Sequence, residues 1–219
     1  MCFSAAASFA SGVVLSGAGV ATARKVRKPE QRLFASIPFL FGLQQFAEGV
    51  LWITLRSGSY DQLQNAAAIV FLIVALVLWP VVVPLSMYFM EEVKRRKVIL
   101  AGLIVAGAII SLSNAFSILF YDVTAQIQGF HISYKVDFPS ALGIFSLLYV
   151  PSTILPLFVS SVRRMWTLGI MITIALAISV IFFYGYVISV WCFFAALISV
   201  MIYWVLSEST RVSNRHAEP

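Results

Sequence analysis

From Thr167 to Leu206 the chain runs forty residues without a charged side chain. A membrane-crossing helix needs about 20 apolar residues to match a hydrocarbon layer about 30 Å thick. The run is therefore twice too long for one crossing and must contain two. The natural turn is Tyr184-Gly185-Tyr186, where glycine relieves the backbone and two tyrosines suit an interfacial belt. Five further apolar runs lie near Ser4 to Ala23, Leu33 to Leu55, Asn65 to Met90, Val98 to Phe120 and Ser140 to Ser161. The expected architecture is an all-α bundle of seven transmembrane helices, with spans near 4–23, 33–55, 65–90, 98–120, 140–161, 167–183 and 187–206. Residues 1–207 form the membrane domain in this reading, residues 208–219 form a cytoplasmic tail, and no second domain is expected.

Composition agrees. Hydrophobic residues make up 61% of the chain and charged residues 11%, against about 45–50% and about 25% in soluble globular proteins. Too few charges exist to keep a disordered chain solvated. The net charge of +6 has a simpler origin than nucleic acid, and no nucleic-acid partner is expected. Cytoplasmic loops of membrane proteins carry the excess of Lys and Arg. Arg24, Lys25, Arg27, Lys28 and Arg32 follow span one, Lys94 to Lys97 follow span three, Arg163 and Arg164 follow span five, and Arg211 and Arg215 follow span seven. Only Arg56 and Lys135 fall on the opposite face, which places the N-terminus outside and the C-terminus in the cytoplasm. Span one has no basic residues before it and a basic cluster after it, so it is expected to be an uncleaved anchor. Its Ser4, Ser8, Gly12 and Ser16 recur every fourth position and would admit a close helix neighbour.

The loop between spans four and five has a different pattern. Val123, Ala125 and Ile127, then Phe130, Ile132, Tyr134 and Val136, alternate with polar residues around Gln128-Gly129. Period-two alternation around a glycine predicts a short extracytoplasmic β-hairpin. It would lie across the outer mouth of the bundle as a lid, with His131, Ser133 and Lys135 on one face.

Among the charged residues, Glu48 alone lies within a predicted span. An intramembrane carboxylate costs at least a few kcal/mol unless it is protonated, paired or hydrated. Glu48 is eight residues before Arg56, about 12 Å along a helix, which puts it in the outer half of the membrane. Gln44 and Gln45 precede it by four and three residues, and Trp52 follows by four. Those offsets share one helix face. Span four carries Ser111, Asn114, Ser117 and Tyr121 at helical spacing, with Asn114 at the depth of Glu48. Gln44, Gln45, Glu48, Trp52, Asn114 and Tyr121 thus sketch a ligand-binding pocket open to the outside; a packing network of interhelical hydrogen bonds is the competing reading. Interior prolines at Pro80 and Pro84, and at Pro151 and Pro156, would kink spans three and five.

Cys2 and Cys192 both fall on the outer side, and His131 lies in the hairpin. A Cys2 nucleophile with His131 as its base and Glu48 orienting the base is chemically sensible, although no spacing supports it. Zinc would need three or four ligands, and Cys2, Glu48 and His131 supply three only if the lid folds inward. No cofactor is expected on this pattern. Retinal is excluded in its usual form, because all five lysines lie in loops.

The opening Met1-Cys2-Phe3-Ser4-Ala5, the Gly42-Leu43-Gln44-Gln45 stretch leading to Glu48-Gly49, Trp79-Pro80 with Pro84, and His131 with Tyr134 together resemble an uncharacterised family of small bacterial seven-span membrane proteins. The resemblance implies a multi-pass protein of the bacterial inner membrane and supplies no activity. Three functions follow as expectations. The first is a protein that binds a small solute, ion or proton from outside, for transport or sensing. The second is a membrane-embedded zinc- or thiol-dependent hydrolase using Cys2 and His131 at the outer surface. The third is an assembly subunit without a ligand, partnered by another membrane protein or by its own copies in the bilayer.

Overall fold

A computed structural model describes residues 4–58, 60–136, 146–182 and 194–215. The chain is helical apart from one hairpin among these residues. Helix α1 spans Ala5–Ala23, α2 Arg32–Ala35, α3 Ile37–Ser57, α4 Asp61–Leu72, α5 Trp79–Met90, α6 Lys94–Phe120, α7 Ser146–Val159, α8 Met165–Phe182 and α9 Ala195–Arg215. The expected turn at Tyr184-Gly185-Tyr186 lies outside the described residues, between the end of α8 and the start of α9. Among the described residues, four helical segments are long and apolar enough to cross a bilayer: α1, the continuous Asp61–Met90, α6 and α8. Shorter apolar stretches occupy Leu148–Val159 and Ala195–Ser207. Helix α3 has the length, at 21 residues, but Gln44, Gln45, Glu48 and Arg56 dilute its apolar content.

Local signals set the helix ends. Ser4 caps α1, its hydroxyl oxygen accepting from the Ala7 N–H at 3.3 Å. Pro38 opens α3, where a missing N–H costs nothing, and Gly58 closes it in the left-handed conformation at φ +62°.

The stripe of small residues on α1 packs on α3, as its spacing predicts. Each helix offers glycine where the other offers bulk. An added Cβ would lie 2.9 Å from the Phe46 ring at Gly12 and 2.9 Å from the Phe9 ring at Gly49, while one at Gly42 would lie 2.8 Å from Ser16 Oγ. Apolar bundles gain contact in this way, through close backbone approach.

Between α4 and α5, Ile73–Leu78 forms a π-helical turn. Pro80 cannot donate to the Leu76 carbonyl, and Pro84 cannot donate to that of Pro80. Three successive carbonyls of this break are taken by side chains from other helices. Tyr149 Oη donates to Ala75 O at 2.6 Å, Asn114 Nδ2 to Leu76 O at 2.8 Å, and Ser111 Oγ to Val77 O at 2.6 Å. At Gly107 of α6 an added Cβ would lie 1.9 Å from the Pro80 carbonyl oxygen. Helices α6 and α7 are therefore fastened to the break by its own freed acceptors.

The hairpin forms as the alternation predicts. Strand β1, Val123–Gln128, pairs antiparallel with β2, His131–Val136, in the register Ala125 to Tyr134 and Ile127 to Ile132. Gly129 takes φ +62° at the first position of the two-residue turn, the place where such turns require glycine. Phe130 departs from the expected apolar face: it belongs to the turn, off the strand, and is 74% exposed. Ala125 and Ile132 pack with Leu51 and Trp52 of α3 and Ala67 and Ala68 of α4. Tyr134 stacks on Phe71 of α4, centroids 4.5 Å apart and planes 7° from parallel.

Gly107→Ala is expected to destabilise the protein by about 1–3 kcal/mol through overpacking against Pro80. Gly102→Ala, where nothing lies within 4 Å, serves as the neutral control. Thermal unfolding of both variants in lipid nanodiscs measures the difference.

Candidate functional site

One edge of α3, carrying Gly42, Phe46 and Gly49, is committed to α1. The polar row is offset from that edge and includes Trp52, which packs with α4 and the hairpin. All four members are buried: Gln45 and Glu48 are 0% exposed, Trp52 1% and Gln44 2%. Helical offsets of three and four residues bring them together along two turns, as the sequence predicts.

Within the row, Gln45 donates from Nε2 to Glu48 Oε2 at 3.2 Å. That bond fixes the orientation of the Gln45 amide and turns its oxygen away from the carboxylate. Gln44 Oε1, Gln45 Oε1 and Trp52 Nε1 are buried with no hydrogen-bond partner among the described residues. So is Oγ of Ser8, which lies one turn before Gly12 on α1. A buried polar atom left unsatisfied costs about 1–3 kcal/mol. Three such atoms along two turns of one helix are a costly local arrangement for a row that only fixes packing. At the C-terminal end of α3, the Arg56 guanidinium sits 5.2 Å from the Trp52 ring centroid, a cation–π contact that covers the indole.

The candidates on α6 are placed differently. Asn114 and Ser111 use their donors on the broken helix, so these two follow the packing reading. Tyr121 ends α6 with its ring against Phe116, centroids 6.3 Å apart; Phe116 is half exposed and Phe120 largely so. The structure thus joins Gln44, Gln45, Glu48 and Trp52, while the donors of Asn114 and the ring of Tyr121 have other commitments.

His131 stands at the start of β2, paired across the hairpin with Gln128. Its burial holds the imidazole below the usual histidine range, so the ring is neutral at pH 7. Cys2, Cys192 and His216 lie outside the described residues, and neither the Cys2–His131 pair nor the set of Cys2, Glu48 and His131 has a geometry to report. No group of three His, Cys, Asp or Glu side chains is placed to hold a metal among the described residues.

A second buried carboxylate escapes sequence reasoning. Glu91 adjoins a charged run and reads as a loop residue, yet it is 1% exposed. It accepts from the Glu92 N–H at 3.1 Å, the Val93 N–H at 2.9 Å, the Ser161 N–H at 2.6 Å and the Ser161 hydroxyl. Burial raises its pKa, but the hydrogen bonds from Ser161, Val93 and Glu92 outweigh that and hold it below the usual carboxylate value. Glu91 thereby ties the α5–α6 turn to the α7–α8 turn. No local signal announces this, because the Ser161 donors arrive from a turn seventy residues away.

Residues 1–217 match the model of DUF6629, a family of unknown function, and the chain belongs to that family. No curated protein and no solved structure matches it.

The Glu91 latch has a pH signature. A carboxylate whose folded pKa lies below its unfolded value stabilises the fold above the unfolded pKa, and this contribution fades as pH falls through the folded one. Glu91→Gln is expected to cost roughly 1–3 kcal/mol at pH 7. Its deficit relative to the natural chain should shrink as pH drops below the usual value of 4.5. Unfolding midpoints of the two proteins between pH 3 and 7 test both statements.

Proposed function

We propose that this DUF6629 member is a seven-span protein of the bacterial inner membrane. In this reading it receives a small solute or ion from the outer side, for transport or sensing, at the α3 row of Gln44, Gln45, Glu48 and Trp52. The observation that carries the proposal is the set of buried, partnerless polar atoms around a buried carboxyl group, beneath a hairpin packed on the same helix. Binding groups held without partners have already lost their water, so a ligand that satisfies them gains more than it would at a solvated surface.

The membrane setting draws on three supports. Four helical segments have the length and composition to cross. Large apolar side chains stand exposed along several helices, among them Val13 and Val14 on α1, Leu112 and Leu119 on α6, and Ile181 on α8. In water such surfaces would associate; against lipid tails they are at rest. Helices α3, α7 and α9 complete seven crossings, and the basic loops set the N-terminus outside. Glu48 then lies toward the hairpin side, the side from which a solute would arrive.

A panel of small solutes tested by thermal unfolding of the purified protein in nanodiscs decides the proposal. At least one class is expected to raise the midpoint saturably in the natural chain and to lose that effect in Glu48→Gln. If every solute that stabilises the natural chain stabilises Glu48→Gln equally, the row is a packing device and the proposal fails.

A further inference from the structure

We infer that the face of the basic loops is a binding surface for the headgroups of anionic phospholipids. The inference uses the membrane setting proposed above and is independent of the α3 row. Its starting point is that three basic segments far apart in sequence are held side by side. Glu91 accepts from the Ser161 N–H at 2.6 Å, which ties the α5–α6 turn to the α7–α8 turn and brings Arg163 with it. Glu92, the next residue, lies 3.6 Å from Lys28 Nζ, and Pro29–Gln31 and α2 pack on α5. The segment after α1 is itself ordered. The Gln31 side chain, 8% exposed, accepts from the Arg27 N–H at 2.9 Å and from the Lys28 N–H at 3.3 Å. Orienting a chain in a membrane needs basic residues in its loops. It does not need those loops to be fastened to one another.

Charge fixes the sign of the partner. Arg24, Arg27 and Arg32 on the first segment and Lys94, Arg95 and Arg96 on the second are all exposed. The acidic residues of the three segments are Glu30, Glu91 and Glu92, and of these Glu91 is buried against Ser161 while Glu92 faces Lys28. Lys94 to Lys97 also open α6, whose first turn holds no acidic residue and whose dipole disfavours cations there. Like charges gathered in this way repel, and repulsion between neighbours closer than about 10 Å is poorly screened. A leaflet of negative headgroups converts that cost into attraction.

Apolar neighbours fix the partner as a lipid. Phe89, Val93, Val98, Ile99 and Trp166 stand exposed within a few residues of the cations. Lys97 Nζ lies 5.3 Å from the Tyr88 ring centroid, an arrangement suited to a layer that is wet on one side and apolar on the other. Cations and apolar side chains interleaved along the same helix ends match an amphiphile, whose phosphate and acyl chains are joined in one molecule. A soluble phosphate or an acidic protein segment would neutralise the charge and leave the apolar side chains uncovered.

The test compares unfolding midpoints of the full chain in nanodiscs of phosphatidylcholine and in discs with rising fractions of phosphatidylglycerol. The midpoint is expected to rise saturably with phosphatidylglycerol, and the rise to shrink as sodium chloride is added. Arg24→Gln with Arg27→Gln, and Arg95→Gln with Arg96→Gln, should each weaken the apparent affinity for phosphatidylglycerol about 10-fold. Lys135→Gln, on the hairpin face, should leave it unchanged. Equal midpoints in the two lipids, or a rise that both double variants keep in full, overturns the inference. Glycerol phosphate and polyglutamate are added separately to phosphatidylcholine discs; if either reproduces the whole rise, the partner is a soluble anion or an acidic chain and the lipid assignment falls. Should the double variants not fold, mass spectrometry of the natural chain released from mixed discs carries the test. Retention of phosphatidylglycerol over phosphatidylcholine supports the inference, and equal retention overturns it. None of these readouts involves Glu48, so the reading of the α3 row stands or falls separately.

Discussion

Inside an apolar bundle, a backbone carbonyl that loses its helical partner has to find another, because lipid and aliphatic side chains offer none. The break between α4 and α5 creates such carbonyls, and the rest of the fold is arranged around supplying them. Tyr149 reaches in from α7, and Asn114 and Ser111 from α6. Gly107 brings the α6 backbone against Pro80. A proline that would only weaken an isolated helix thus becomes the point where two others attach. The same logic explains why Tyr149, Asn114 and Ser111 face inward on otherwise apolar helices: their partners are main-chain atoms exposed by the π turn and by proline.

With α6 and α7 held to the break and α1 locked to α3 by interleaved glycine and phenylalanine, α3 is fixed from one side and α4 from the other. Helix α4 continues without interruption into the π turn. It also carries Phe71, on which Tyr134 of the hairpin stacks. The hairpin therefore rests on a helix that runs straight into the π-helical turn. A shift in that irregular turn would reach the hairpin through a single helix. Irregular helical turns occur often at functional sites, and here the irregular turn and the polar row lie on neighbouring helices.

Much of this was legible in the sequence because membrane solvation writes long, one-sided patterns. The uncharged runs located the helices, the fourfold repeat on α1 located its partner face, and the alternation around Gly129 located the hairpin. The Glu48 row was legible because its members share one helix and their spacing alone fixes their proximity. Asn114 illustrates where such reading stops. Depth along α6 matched Glu48, but depth does not give rotation, and the carbonyl that captures the Asn114 amide exists only because Pro80 lies on another helix. Glu91 was illegible for a related reason: its neighbours in sequence are exposed, while two of its four donors come from Ser161 in the α7–α8 turn. Phe130 misread the alternation by one residue, because a two-residue turn takes the position after glycine out of the strand.

The two buried carboxyl groups sit in different polar surroundings within one molecule. Glu91 faces four donors, each supplied by a turn it joins, and its oxygens are satisfied by the fold itself. Such a carboxylate is a clamp, since any ligand would have to displace bonds already made. Glu48 accepts from Gln45 Nε2 at 3.2 Å and lies in one row with Gln44, Gln45 and Trp52, each of which keeps a buried polar atom without a partner among the described residues. Replacing that row by leucines would remove the cost of its unsatisfied groups and would leave the glycine contacts on the other edge of α3 untouched. It would also remove the buried Gln45–Glu48 hydrogen bond, so the row carries both a structural bond and an unsatisfied cost. The clamp sits at the face of the basic loops and the strained row sits at the hairpin face. The bundle is accordingly tied at the turns that Glu91 joins, and its unsatisfied polar atoms gather on α3 beside the residues on which the hairpin packs.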